Sequence, residues 1–140
     1  MGTKQAKADH LAVIDAWVAA WNSHNPDALA ALFTADALYE DLALGAVSNG
    51  TDQIRAFAQS AFTAIPDLKV EFLQGHLKGG HGTIEWVFSG TDVGVYKTGK
   101  KFSVRGASVI DVHGQKISRT SDYYDLATIL RELALLPPGL

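Results

Sequence analysis

The chain has 140 residues, a net charge of −3 and no cysteine, with 47% of its residues hydrophobic and 19% charged. That length and composition fit one globular domain over residues 1–140 and exclude a disordered chain or two independent cores. The acidic balance argues against nucleic-acid binding, and the missing cysteines exclude disulfides and thiolate chemistry.

Met1 to Asp9 is polar and lacks the apolar core of a secretory signal. No apolar run approaches the ~20 residues needed to span a bilayer, so a soluble, cytoplasmic protein without membrane contact is expected. Leu11, Ile14, Val18 and Trp21 recur at helical spacing, with Val13, Trp17 and Ala20 on the adjoining stripe. Asn22 to Asn25 ends this helix, and Asn25 caps a short second one through Leu32 and Phe33 that starts at Pro26. Ala37 to Asp41 reads as a short extended piece, and Ala43 to Gly50 as a flexible loop. Thr51 then opens a third helix through Ile54, Phe57, Ala58 and Phe62.

After Pro66 the period changes to that of strands. Leu68, Val70, Phe72 and Leu77 form one strand, and 78–82 (KGGHG) makes a hairpin turn. Thr83 to Thr91 and Phe102 to Val112 are the next strands, joined by a turn from Gly94 to Lys101. Lys97, Lys100 and Lys101 cluster there as a solvated surface. After a turn at 113–115, Lys116 to Tyr124 is the last strand. A helix from Leu126 to Leu135 stops before Pro137. Three helices before a four-strand antiparallel run give an α+β domain, not alternating βαβ units.

The long strand alternates Val104, Gly106, Ser108 and Ile110 with Arg105, Ala107 and Val109, so neither face carries a polar stripe. One face is expected under helices and a pocket, the other against a second copy in a homodimer. Cover by the C-terminal helix alone is the simpler alternative.

Particular stretches go further. Ala20-Trp21-Asn22, then 25–29 (NPDAL), Leu32-Phe33 and Tyr39-Glu40-Asp41, resemble the N-terminal half of SnoaL-like polyketide cyclases. So do 62–68 (FTAIPDL), Glu85-Trp86 with 89–91 (SGT), 98–101 (TGKK), 114–117, Arg119 and 122–125 (DYYD). The resemblance covers nearly the whole chain. It implies a cone-shaped, curved antiparallel sheet packed on three N-terminal helices, with a short C-terminal helix, enclosing a pocket for an apolar small molecule. The wider nuclear-transport-factor-two-like superfamily holds cyclases, ketosteroid isomerases, dehydratases, epoxide hydrolases and binding domains, so the reaction does not follow from the fold. The short turn from Gly94 to Thr98 implies a more open rim. The Arg-x-Asp pair of limonene epoxide hydrolases is not matched, because Gly106 and Ala107 follow Arg105. The long strand lacks the histidine that cyclases of the family carry there; the nearest, His113, lies in a turn.

The resemblance places the general acid/base aspartate at Asp122, beside Tyr123 and Tyr124. Desolvated by aromatic neighbours, a carboxyl there can take and return a proton near neutral pH; alternatively Asp122 only bonds a backbone amide or pairs with Arg119 or Arg105. Asp41 follows Tyr39-Glu40 where ketosteroid isomerases carry their base, and is equally a helix-to-loop cap. Trp17 stands for that enzyme's helical tyrosine and Ala107 for its protonated aspartic acid, so its familiar oxyanion donors are missing.

Trp21, Tyr39, Trp86, Tyr123 and Tyr124 can line an apolar cavity or simply pack a core, and for Trp21 and its helix neighbour Trp17 core packing is the favoured role. Asn22 can donate to a carbonyl oxygen or close its helix. Arg105 can reach an anionic oxygen, or Asp122 on the neighbouring strand. His10, His24, His76, His81 and His113 are dispersed without ligand spacing, so no metal is expected. No GxGxxG or GxxxxGK[ST] stretch supports a nucleotide, and no cofactor is expected. What remains is cofactor-free aspartate proton transfer on an apolar carbonyl substrate, by an aldol-type cyclase, an isomerase or a dehydratase. The alternative is a non-catalytic small-molecule binding module of the same fold.

Overall fold

The computed structural model describes residues 2–139, with side chains from residue 12 onward. The side chains of His10 and Leu11 lie outside the described residues. Helix α1 (Gly2–Asn22) buries Ile14, Trp17, Ala20 and Trp21, the stripe its apolar spacing defines. His24, at φ 57°, turns the chain. The Asn25 side chain then accepts the Asp27 and Ala28 N–H groups at 3.0 and 3.1 Å, capping α2 (Pro26–Ala30).

Phe33, expected in α2, instead begins β1 (Phe33–Asp41). The cause is non-local. The Leu32 carbonyl accepts the Ile117 N–H, and Phe33 pairs with Ile117 in parallel. The stretch expected to be a loop before Gly50 contains β2 (Ala46–Asn49), which pairs with β1 from Leu38 to Asp41. Helix α3 (Gly50–Ala64) buries Ile54, Ala58 and Phe62.

Strands β3 (Lys69–Lys78), β4 (His81–Thr91), β5 (Lys101–His113) and β6 (Lys116–Tyr124) form the expected antiparallel meander. The whole sheet has six strands, in the order β2-β1-β6-β5-β4-β3, and β1 joins β6 in parallel. Register shifts between Phe72 and Gln74 and between Asp111 and Val112 bend the strands around the helices. Helix α4 (Leu126–Glu132) ends before the expected Leu135, and Glu132 accepts the Ser103 N–H at 2.9 Å, tying α4 to β5.

Strand β5 sorts its faces by parity. Phe102, Val104, Ser108 and Ile110 are buried, while Arg105 is exposed and Ala107 and Val109 are half-buried. The inner face meets the helices; the outer face of the described chain is open to solvent. At Gly106 the packing leaves no room for a side chain. A Cβ there would lie 2.6 Å from Trp86 Cη2 and 2.7 Å from the Tyr123 carbonyl oxygen.

Candidate active site

Strand parity and register build the site. Asp41 pairs with Asp122 across β1 and β6, Asp122 with Ser108 across β6 and β5, and Gly106 with Trp86 across β5 and β4. Residues two apart share a face, so Tyr39, Asp41, Asp122, Tyr124, Ser108 and Trp86 all point inward.

Asp122 is 7% exposed. Its Oδ2 accepts the Tyr39 hydroxyl at 2.6 Å and its Oδ1 accepts the Ser108 hydroxyl at 2.6 Å. The Trp86 indole donates to the Ser108 oxygen at 2.9 Å, which orients that hydroxyl toward the carboxylate. Burial raises Asp122 from 3.8 to about 7; the two hydroxyls pull it down, and the charge of Asp41 pushes it up. Neither Arg105 nor Arg119 pairs with it. Arg119 bonds Asp111 at 3.4 Å instead.

Asp41, 6% exposed, accepts the Tyr124 hydroxyl at 2.9 and 3.0 Å and the Leu44 N–H at 3.0 Å. Burial raises its pKa, opposed by the Leu44 N–H and the Tyr124 hydroxyl. Burial likewise pushes both phenols, Tyr39 and Tyr124, above their ordinary value. They are proton-bearing donors at neutral pH.

These groups open on a cavity of about 590 Å³ between α1, α3 and the sheet. Trp17, Trp21, Tyr39, Asp41, Trp86, Asp122 and Tyr124 all line it. Phe57, Phe88, Ala61 and Ala64 complete much of the wall, and Leu44, Gly94 and Val95 reach it from loops. The small alanines of α3 leave the space that larger side chains would fill. Trp21 meets Trp17, Tyr39, Phe57 and Phe62 edge-on, with centroids 5.5 to 6.5 Å apart. Such contacts fix the rings that shape the wall.

Two of the expected site residues stand apart from the cavity. Arg105 is on the outer face of β5, because its odd position alternates with Ser108; the anticipated pairing with Asp122 does not form. Asn22 uses its amide on the backbone of β3. Its Nδ2 donates to the Val70 carbonyl at 2.8 Å, and its Oδ1 accepts the Val70 N–H at 2.7 Å. Ser108 was not among the expected site residues, although it is the polar member of the Val104–Ile110 face and that signal was available. Among the described residues no cluster of three His, Asp or Glu could hold a metal, and no helix is long and apolar enough to cross a membrane.

The family model of the SnoaL-like polyketide cyclases matches residues 11–133. The chain belongs to that family. Solved structures share the architecture. A protein from Catenulispora acidiphila with a ketosteroid isomerase-like fold, solved in complex with trimethylamine, is 34% identical, with 89% of this chain and 93% of that one covered and a TM-score of 0.82. TsrD from Streptomyces laurentii is 22% identical over 92% of this chain and 97% of its own, with a TM-score of 0.81. A candidate polyketide cyclase from Xanthomonas campestris is 21% identical over 91% and 98%, with a TM-score of 0.79. The last two likenesses establish the fold only. No curated protein sequence matches the chain.

Proposed function

We propose that this SnoaL-like protein is a cofactor-free enzyme that moves a proton on an apolar carbonyl compound, as an aldol-type cyclase, isomerase or dehydratase. The observation that carries the reading is the Asp122 carboxyl, buried in the cavity wall and raised to about 7. At that pKa both protonation states are populated near neutral pH, so one group can take a proton alpha to a carbonyl and return it. Asp41, also raised, serves as a second base or as an acceptor for a substrate hydroxyl. Tyr39 and Ser108 hold the Asp122 carboxylate in place.

The reading is tested by proton NMR of 2-tetralone in deuterated buffer. The wild-type protein should accelerate exchange of the α-protons above the buffer rate, and Asp122→Asn should abolish most of that acceleration. Exchange at the buffer rate with wild type would refute it.

The second reading is a binding module without chemistry. It is favoured by the trimethylamine complex of the Catenulispora acidiphila relative and by aromatic walls that, with two carboxyls, suit an organic cation here as well. Trimethylammonium binding with no 2-tetralone exchange would select it.

The outer sheet face supports a homodimer. Tyr123, 49% exposed, lies opposite Ala107, and half-buried Val109 adjoins them. An obligate interface there should bury about 2,000 Å² or more. Sedimentation at micromolar concentration should give a dimer, and Tyr123→Glu should give a monomer; a wild-type monomer refutes the assembly.

A further inference from the structure

Asp92 is a third buried carboxyl, and the proton chemistry does not use it. It follows β4, is 1% exposed and is not part of the cavity wall. Its Oδ1 accepts the Val95 and Tyr96 N–H groups at 3.2 and 2.9 Å. Its Oδ2 accepts the Thr98 N–H at 2.9 Å and the Thr98 hydroxyl at 2.8 Å. The Asp92 backbone closes the same segment, donating to the Lys100 carbonyl at 2.9 Å and accepting the Gly99 N–H at 2.8 Å. Val93 and Gly94 turn to α3 instead, and both donate to the Ala64 carbonyl, at 3.1 and 2.9 Å. A Cβ on Gly94 would lie only 2.9 Å from Ala64 Cα and 3.1 Å from its Cβ.

A surface loop ordinarily leaves many of its amides to water. Here the N–H groups of 93–96, 98 and 99 are all met by the protein, although the side chains of Val93, Val95 and Tyr96 are exposed. Hydrogen bonds to an ionised carboxylate are the stronger kind, and this one carries four. The loop is thereby knotted into one shape and seated on the end of α3. Two of its residues, Gly94 and Val95, line the cavity together with Ala64. Their amides are spent, so they offer a ligand no donor.

We propose that Asp92 is a positioning residue for ligand binding, holding Gly94 and Val95 as a fixed lip of the cavity against the apolar part of the ligand. A wall ordered on folding binds more tightly than one that must be ordered by the ligand. The proposal rests on the cavity being a ligand site, which the enzyme and the binding module share, and not on proton transfer.

Two variants loosen the lip in different ways. In Asp92→Asn the amide can serve only one pair of these donors, because its NH₂ group faces the other pair. Gly94→Ala keeps the carboxylate and pushes the lip off α3. The neutral probe N-phenyl-1-naphthylamine, whose fluorescence rises in apolar surroundings, reports occupancy. Its dissociation constant should rise roughly three- to tenfold in Asp92→Asn, the worth of about one hydrogen bond, and in the same direction in Gly94→Ala. The pH at which Asp122 titrates, read by carbon-13 NMR, should hold in both variants. A residue that only stabilised the fold would leave the affinity of the folded molecules unchanged.

Amide hydrogen exchange in the wild type needs no variant to fold. The Val95, Tyr96 and Thr98 amides should be protected, and in Asp92→Asn their protection should fall while that of Val104 and Ile110 in β5 holds. Unprotected amides in the wild type overturn the assignment. So does failure of the probe to bind, or an affinity unchanged in every variant that folds. An affinity loss that comes with a shifted Asp122 titration overturns it too, because the effect then runs through that carboxyl. If the affinity is unmoved while wild type exchanges the α-protons of 2-tetralone, the lip assignment fails and the proton-transfer reading stands. A weakened affinity with no exchange in wild type gives the reverse.

Discussion

Asp41 and Asp122 stand opposite one another in the parallel register of β1 and β6. Parallel neighbours at matched positions share a face, so two carboxyls are desolvated in the same wall. Each is raised by burial and restrained by its own donors: Ser108 and Tyr39 for Asp122, the Leu44 N–H and Tyr124 for Asp41. Asp41 adds its charge to the forces that raise Asp122, so ionising one makes ionising the other harder. Burial thereby leaves one of the two carboxyls, Asp122, holding its proton up to about 7.

Replacing Asp122 by Asn keeps the shape but removes the base. Exchange or turnover should fall by roughly 10²–10⁴, the range that general acid–base catalysis supplies. Asp41→Asn should cost less if Asp41 orients substrate, and should also lower the Asp122 pKa by removing a neighbouring negative charge. Kinetics of both variants across pH decide the assignment. A larger loss at Asp41 than at Asp122 would exchange their roles.

Tyr39→Phe and Ser108→Ala each remove a hydroxyl that stabilises the Asp122 carboxylate. Both hydrogen bonds lower its pKa, so losing either should raise it above about 7. The base is then ionised only at higher pH, and the acid limb of the rate profile should move upward by the same amount. Carbon-13 NMR of the aspartate carboxyls measures the shift without a substrate. An Asp122 signal that titrates at its wild-type pH in both variants would contradict the geometry.

The sequence makes the inward set readable where alternation is local. Tyr39 and Asp41, Asp122 and Tyr124, and Trp86 each follow from parity once their strands are recognised. Arg105 failed the same test because the register shift between Asp111 and Val112 sets Asp122 opposite Ser108, where the two-residue turn alone would set it opposite Ala107 on the parity of Arg105, and a bulge leaves no mark in the alternation. The β1–β6 ladder was not legible at all, since Phe33 becomes a strand residue only through Ile117, far along the chain. Asn22 misled for a related reason: its partner is the backbone of Val70, and backbone partners leave no mark in side-chain patterns. The SnoaL-like family was legible because its signature lies in turns and caps, such as 25–29 and 62–68, whose chemistry is local.

Gly106 tests how firmly Trp86 is seated. A methyl there would lie 2.6 Å from the Trp86 ring and 2.7 Å from the Tyr123 carbonyl oxygen. The ring can shift, but the carbonyl belongs to the sheet and cannot. Gly106→Ala should therefore destabilise the fold by about 1–3 kcal/mol, as overpacking does. Displacing Trp86 also breaks its bond to Ser108, so the Trp86 indole proton signal should move. A variant with unchanged melting and an unmoved signal would show that the wall is looser than the contacts require.

Stability should depend on pH in a direction that Asp122 sets. Its pKa is about 7 in the fold and near 3.8 as an ordinary aspartate. Between those values the folded state holds a proton that the unfolded state has released. Stability from this group is therefore full below about 3.8, falls as pH rises through the window, and levels off above about 7. A shift of this size corresponds to on the order of 4 kcal/mol. Asp67, Asp92 and Asp111, held below the ordinary range, act oppositely and lose stability as pH falls through their own pKa values. All three persist in Asp122→Asn, so the difference between wild type and variant reports Asp122 together with its coupling to Asp41. Urea unfolding of both proteins from pH 4.5 to 7.5 should show the variant gaining steadily on wild type as pH rises. Parallel curves would mean that Asp122 ionises in the fold as it does in water, and that the cavity does not hold its proton.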